Sequence, residues 1–324
     1  MRKTFFAALL MSAITLFPAL SIFGWDDVGH KITAYIAWQQ MTPEVRERVI
    51  KILLAAPEDA QLSTFYLPYG SRTEEARRRE FFIIAASWPD IIRDRNFPVR
   101  YKKYHHSNWH YSDTLWTEKD GKIELVTSIP ADGLAMDKIA EFTKLEQSDA
   151  SDAEKAVGIA WLEHLIGDIH QPLHASGRVT DTEPKGDQGA NLFLLTPKDT
   201  PRDKQENLHW FWDSIVVRAI PNANDSSDDE YIFPIARDIM KKYPFDKMQS
   251  RLDVDDPEQW KKESFEISST KIYTPDLKRF EMPSEGYKRN ALKIADERLA
   301  LAGYRMAALF NKLFGTPPTA ATTK

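Results

Sequence analysis

The chain has no cysteine among its 324 residues. A disulfide framework is excluded, and so are thiolate nucleophiles and thiolate metal ligands. Any bound metal has to be held by His, Asp, Glu or backbone groups. Glycine is scarce, at 13 residues, against a background rich in Ala, Leu, Glu, Lys and Arg. That balance favours helix over sheet. No long stretch alternates apolar and polar residues, so no extended sheet is expected. Internal repeats and long Pro/Gly/Ser linkers are also missing from the pattern. Basic charge is not in excess: the formal net charge is −5, unlike a surface that grips duplex phosphates.

One long uncharged run stands out, at the N-terminus. Arg2 and Lys3 precede an apolar stretch from Phe5 to Phe17, and Pro18, Ala19, Ser21 and Gly24 follow it. That three-part pattern predicts an export signal over residues 1–24, with the mature chain starting at Trp25 and secreted or periplasmic. The same run extended to Phe23 reads alternatively as an uncleaved membrane anchor. No other segment approaches spanning length. Loss of residues 1–24 takes the net charge from −5 to −7, because Arg2 and Lys3 go and no acid does. A protein of this charge that binds a polyanion needs cations in its site.

What is present reads as helix. Ile32, Tyr35, Ile36 and Trp38 have helical spacing over His30–Gln40. Thr42-Pro43-Glu44 is a cap followed by a first-turn proline, opening a helix towards Ala56. Further helices are predicted over Glu74–Ser87, from a capping box at Ser151–Glu154 to about His170, and near Trp210–Ile220, Asp228–Lys242, Pro257–Ser268 and Ser284–Phe314. Residues 57–73, 94–135 and 177–206 read as loops or short hairpins. The expectation is a single mainly α domain over residues 25–316 with long active-site loops, and a frayed tail at 317–324.

The eight histidines fall in patches beside aspartates. Trp25 and His30 form the first; alone, they read as a packing Trp with a surface His. Ser87-Trp88-Pro89-Asp90 and Asn108-Trp109-His110-Tyr111 form the second, where Asp90 alone reads more often as a helix cap than as a ligand and His110 reads evenly. The third is His164-Leu165-Ile166-Gly167-Asp168-Ile169-His170-Gln171-Pro172-Leu173-His174. His164 and Asp168, four apart, project from one helix face, a recurrent zinc geometry. Gly167 beside them leaves room for a second metal or a substrate. The fourth, His209-Trp210-Phe211-Trp212-Asp213, repeats the same spacing. Two such pairs in one chain weaken the reading of each as a simple polar pair.

These segments, together with Gly186-Asp187-Gln188-Gly189-Ala190-Asn191, resemble the zinc-dependent single-strand nucleases of the nuclease S1 / nuclease P1 family. The resemblance covers Trp25 to about Asp213. It implies a phospholipase C / P1 nuclease type of helical fold and three Zn2+ per chain. One zinc would take Asp90, His110, His164 and Asp168; a second His174, His209 and Asp213; a third the amine and carbonyl of Trp25, His30 and a shared Asp168. His105, His106 and His170 are left over as surface or supporting groups. The chain departs from fungal members in lacking cysteines and in having Ala190 where a second glycine is common.

The resemblance further implies endonucleolytic hydrolysis of single-stranded DNA and RNA to 5′-phosphate products, with 3′-nucleotidase activity left open. Asp168 would orient the attacking water, and Arg93 would contact the phosphate in the transition state. Tyr111 would stack on the base and Asp113 would accept from its edge. The bland reading of Arg93 is an exposed surface charge. A zinc-dependent phospholipase C could use the same ligands, but a choline site wants an aromatic cage. A structural zinc protein would close each site with four protein ligands. No protein partner is implied.

Overall fold

The computed structural model describes residues 25–315. The expected export signal over residues 1–24 and the expected tail at 317–324 lie outside the described residues. Helices dominate: α1 (Asp27–Gln40), α2 (Pro43–Leu54), α3 (Glu74–Ala85), α4 (Trp88–Ile91), α5 (Pro98–Tyr104), α6 (Ala135–Glu146), α7 (Asp152–His170), α8 (Leu208–Asp213), α9 (Ile215–Ala219), α10 (Ile232–Lys242), α11 (Phe245–Met248), α12 (Pro257–Ile267) and α13 (Glu285–Phe314). Strands are short. β1 (Leu115–Lys119) and β2 (Lys122–Leu125) form an antiparallel hairpin, and β3 (Gly177–Arg178) pairs parallel to β1. The mainly α, single-domain expectation matches this architecture.

The helix starts follow the sequence signals. Asp26 caps α1 by accepting from the Gly29 N–H at 3.0 Å. Thr42 caps α2 ahead of Pro43. Ser151 and Glu154 make the predicted capping box of α7.

α7 is the centre of the molecule. From Gly158 to His170 every residue is buried, and α1, α2, α4, α6, α12 and α13 all pack on it. A helix surrounded on all sides is apolar all round; here the exceptions are Glu163, His164, Asp168 and His170. Trp161 on α7 and, around it, Trp38, Trp88 and Trp212 are among the fully buried side chains that fill the core.

Three expectations need correction. Residues 94–135 contain α5, a seven-residue helix opened by Pro98 that buries only Arg100 and Tyr104. So few buried positions give no readable period. α6 lies outside the predicted set, although its buried Ala135, Met136, Ile139 and Phe142 have helical spacing. The expected helix at Trp210–Ile220 is two helices, broken at Ser214, whose hydroxyl donates to the Trp210 carbonyl at 2.5 Å. The hydroxyl shares that carbonyl with the Ser214 N–H at 3.1 Å, a back-bond of the kind that bends helices.

Candidate metal centre

Five segments converge on one face of α7. The start of α1 brings His30, α4 brings Asp90, and the turn after Ser107–Trp109 brings His110. α7 itself carries His164 and Asp168. A 3₁₀ turn at Pro172–Ala175 brings His174, and α8 brings His209 and Asp213. All of these side chains are buried except Asp90, which is 15% exposed. Their ligand atoms form three groups, His30–His164–Asp168, Asp90–His110–His164 and His174–His209–Asp213, each within 4.8 Å.

The first two groups share atoms. His164 Nε2 lies 2.9 Å from His110 Nδ1. Asp168 Oδ2 lies 3.1 Å from His110 Nδ1 and 3.2 Å from His164 Nε2. Asp90 Oδ1 lies 3.7 Å from His164 Nε2 and 4.0 Å from His110 Nδ1. Donors about 2.0–2.2 Å from a tetrahedral ion are about 3.3–3.6 Å apart. The observed edges bracket that length. The other Asp168 oxygen, Oδ1, faces His30 Nε2 at 3.2 Å. One carboxylate thus presents an oxygen to each of two groups. In the third group His174 Nε2 and His209 Nε2 lie 3.8 and 3.4 Å from the two Asp213 oxygens.

Backbone carbonyls decide which ring nitrogens carry protons. His164, His174 and His209 each donate through Nδ1, to the carbonyls of Ala86 (2.8 Å), His110 (2.6 Å) and Gly189 (2.6 Å). A carbonyl can only accept, so in the neutral ring Nε2 is left as a lone pair aimed into its group. Metal-binding histidines use this arrangement, in which a backbone acceptor fixes one ring nitrogen and so aims the other. Gly189 serves this directly. Its φ is +59°, and an added Cβ would come within 2.5 Å of the Leu173 carbonyl.

The charges are unresolved without a cation. Burial pushes His110 down to about 3, helped by the Arg93 guanidinium. Burial also opposes charge on His164, but the Asp168 and Asp90 carboxylates outweigh it and raise that group. Burial would raise Asp168 too, yet its three imidazole neighbours hold it well below the carboxylate range. Burial drives Asp213 well above that range. Asp90 Oδ1, Asp168 Oδ1, Asp213 Oδ2 and both ring nitrogens of His30 are buried without a well-formed hydrogen bond. Buried groups of this kind ordinarily have partners. Oxygen and imidazole donors of this geometry suit a divalent ion such as zinc, so the residues fit the expected cofactor.

The other expected residues fall around these groups. Trp25 is fully buried. The Asp26 N–H donates to the Asp213 carbonyl at 3.1 Å, which ties the start of the described chain to α8. Arg93 is not a bare surface charge: its Nη2 lies 2.9 Å from Asp90 Oδ1. Tyr111 and Asp113 line a cavity of about 270 Å³ that also touches His209. Gly167 makes room, but for a protein group: an added Cβ would lie 2.9 Å from His30 Nδ1. His170 is a core residue rather than a surface group, with Nδ1 donating to the Ile166 carbonyl and Nε2 accepting from Arg305.

A family model described as S1/P1 nuclease matches residues 25–315. The chain belongs to the S1/P1 nuclease family. Among curated relatives, Endonuclease 2 of Arabidopsis thaliana is 23% identical, over 95% of this chain and 96% of its own length. Nuclease S1 of Aspergillus oryzae is 22% identical, over 95% of this chain and 98% of its own. Endonuclease 1 of Arabidopsis thaliana is 24% identical, over 94% and 92%. The match therefore runs far past Asp213, through the helices that close the core.

One supporting residue in this S1/P1-family chain carried no sequence signal beyond its place in the histidine-rich segment. Gln171 is fully buried. Its amide donates to Asp213 Oδ1 at 2.6 Å while its oxygen accepts from the Leu173 N–H at 2.6 Å. It therefore aims Asp213 and braces the turn that carries His174. Gln171→Leu is expected to weaken zinc binding by the His174–His209–Asp213 group roughly 10- to 100-fold. Competition with a fluorescent chelator measures this, and an unchanged affinity would remove Gln171 from the support of Asp213.

Proposed function

We propose that this chain is an exported, zinc-dependent endonuclease that holds three zinc ions and cuts single-stranded DNA and RNA to leave 5′-phosphates. The observation that carries the reading is the division of Asp168 between two donor groups, of which the one at His30 is left short of a closed protein shell. A phosphodiester is anionic and resists attack. Bound zinc supplies positive charge and lowers the pKa of a water ligand from 15.7 to about 7.

The chain's own residues have distinct parts in this reading. Asp168 sets the separation of two ions and orients the water. Arg93, held against Asp90, presents donors to the phosphate oxygens, to which its planar fork is matched. Tyr111 stacks on a base, which requires an unstacked strand. Asp113 accepts from the edge of that base. The third ion depends on removal of residues 1–24, because only then is the nitrogen of Trp25 an amine able to join His30 and Asp168.

Elemental analysis of the chain starting at Trp25, run alongside hydrolysis of single-stranded DNA with and without chelator, tests this. Close to three zincs per chain and chelator-sensitive cleavage are expected, with ends that ligate without added kinase. Three zincs with hydrolysis of phosphatidylcholine and none of DNA would replace the nuclease by a phospholipase. One zinc or none would overturn the ligand set.

A further inference from the structure

The cavity beside His209 holds two polar groups that no neighbour satisfies. Asp113 and Tyr111 enter it from the segment after His110, and Lys185 and Gln188 enter it from the turn-rich loop before Asn191. Asp132 also lines it, but its carboxylate already accepts from the Tyr111 hydroxyl at 2.8 Å and the Gly133 N–H at 2.7 Å. Asp113 differs. Its backbone N–H is bonded to the Asp132 carbonyl, while among the described residues nothing donates to its carboxylate. Gly177 lies beside it: a Cβ there would be in ordinary contact with Oδ2, at 3.5 Å. Lys185, the one cation among the lining residues, makes no ion pair with a described carboxylate. Gln188 is held at φ +57°, a conformation uncommon outside glycine, which carries this loop round to the cavity.

The chemistry of these two groups is complementary. An ionised carboxylate only accepts and an ammonium only donates. On its pairing edge guanine presents two adjacent N–H donors, N1 and N2, next to the acceptor O6. The two donors match the two oxygens of one carboxylate, and O6 matches the ammonium. Adenine and cytosine each set a ring-nitrogen lone pair beside their single amino group, where a second carboxylate oxygen repels it. Thymine and uracil place one N–H between two carbonyls, with the same penalty. A site built for hydrogen bonds rejects a ligand that leaves them unmade.

We propose that Asp113 and Lys185 together select guanine as the base held in this cavity, so that cleavage falls preferentially beside guanosine nucleotides. The inference rests on the nuclease reading above and goes further by naming the base.

The test is a cleavage ladder on an end-labelled single-stranded oligonucleotide of mixed sequence, cut by the zinc-loaded chain at pH 8. That pH lies above the value of about 7 to which burial and the Asp187 and Asp132 carboxylates push Asp113. Cuts beside guanine are expected roughly tenfold more often than beside the other bases. Lys185→Met should reduce that ratio to about twofold or less. Asp113→Asn should transfer the preference to adenine, because an amide both accepts from its amino group and donates to its ring nitrogen. A merely structural role for Asp113 would lower all cuts together. Binding of guanosine 5′-monophosphate against adenosine 5′-monophosphate by the zinc-loaded chain, followed by tryptophan fluorescence, gives a readout independent of turnover. The same roughly tenfold ratio is expected there. A ladder with equal cuts at all four bases, or one that Lys185→Met leaves as in the parent, overturns the guanine assignment alone. No cleavage at all by the zinc-loaded parent overturns the nuclease reading with it.

Discussion

Asp168→Asn is expected to abolish cleavage and to remove two of the three proposed metal positions. The carboxylate oxygens face different neighbours: Oδ2 is 3.1 Å from His110 Nδ1 and 3.2 Å from His164 Nε2, and Oδ1 is 3.2 Å from His30 Nε2. An amide has the same shape but only one ligating oxygen. Whichever way it is turned, its NH2 occupies one of the two groups. The lost charge also matters, because two cations held on either side of this carboxylate would repel each other more once it is neutral. Several kcal/mol of transition-state stabilisation go with the ions, so kcat/KM should fall more than about a thousandfold. Elemental analysis should drop from near three zincs to about one. The substitution keeps volume and leaves the helical core intact, so the far-ultraviolet circular dichroism should match the parent. A variant that retains both its zinc and its activity would refute the sharing of Asp168.

Arg305→Leu is expected to have the largest effect on stability, and it touches none of the proposed ligands. Arg305 is fully buried on α13. Its Nη1 and Nη2 donate to the two Glu263 oxygens at 2.9 Å each, a bidentate pair with α12. Nε and Nη2 donate to the Arg251 carbonyl, and Nη1 donates to His170 Nε2 at 2.8 Å. Arg298 continues the lattice, donating to Glu263 and to the carbonyl of His170 at the end of α7. Removing Arg305 leaves His170 Nε2 and the Arg251 carbonyl without it, and Glu263 with Arg298 and the more distant Arg251. Breaking a buried ion pair from one side costs about 3–5 kcal/mol. For a domain of this size that lowers Tm by about 10 °C. Lysine should not restore it, since one ammonium cannot reproduce a fork. Thermal unfolding of zinc-free and zinc-loaded protein should show the drop in both. A change of less than about 2 °C would mean that the lattice is incidental.

Much of the architecture was legible because helix signals are local. Ser151 and Glu154, three apart, announce the start of α7 before any packing is known. The spacing of His164 and Asp168, and of His209 and Asp213, puts each pair on one face by helix geometry alone. α5 was illegible because so little of it is buried, and the break at Ser214 because the bond that marks it is a single side-chain contact rather than a compositional signal.

What the sequence determined by itself is the kind of donor available and its grouping: no thiol, but imidazoles and carboxylates at helical spacing, on a chain whose periodicity builds α7. Tertiary structure alone decided how those donors are used. The acceptors that orient His164 and His174 come from Ala86 and His110, 78 and 64 residues away in the chain. The space for His30 beside Asp168 exists because α1 crosses α7 at Gly167. Asp213 is aimed by Gln171 from 42 residues away. Periodicity records which face a residue occupies within its own helix. Which lone pair meets which proton depends on where distant backbone carbonyls come to rest, and that is settled only when the core closes.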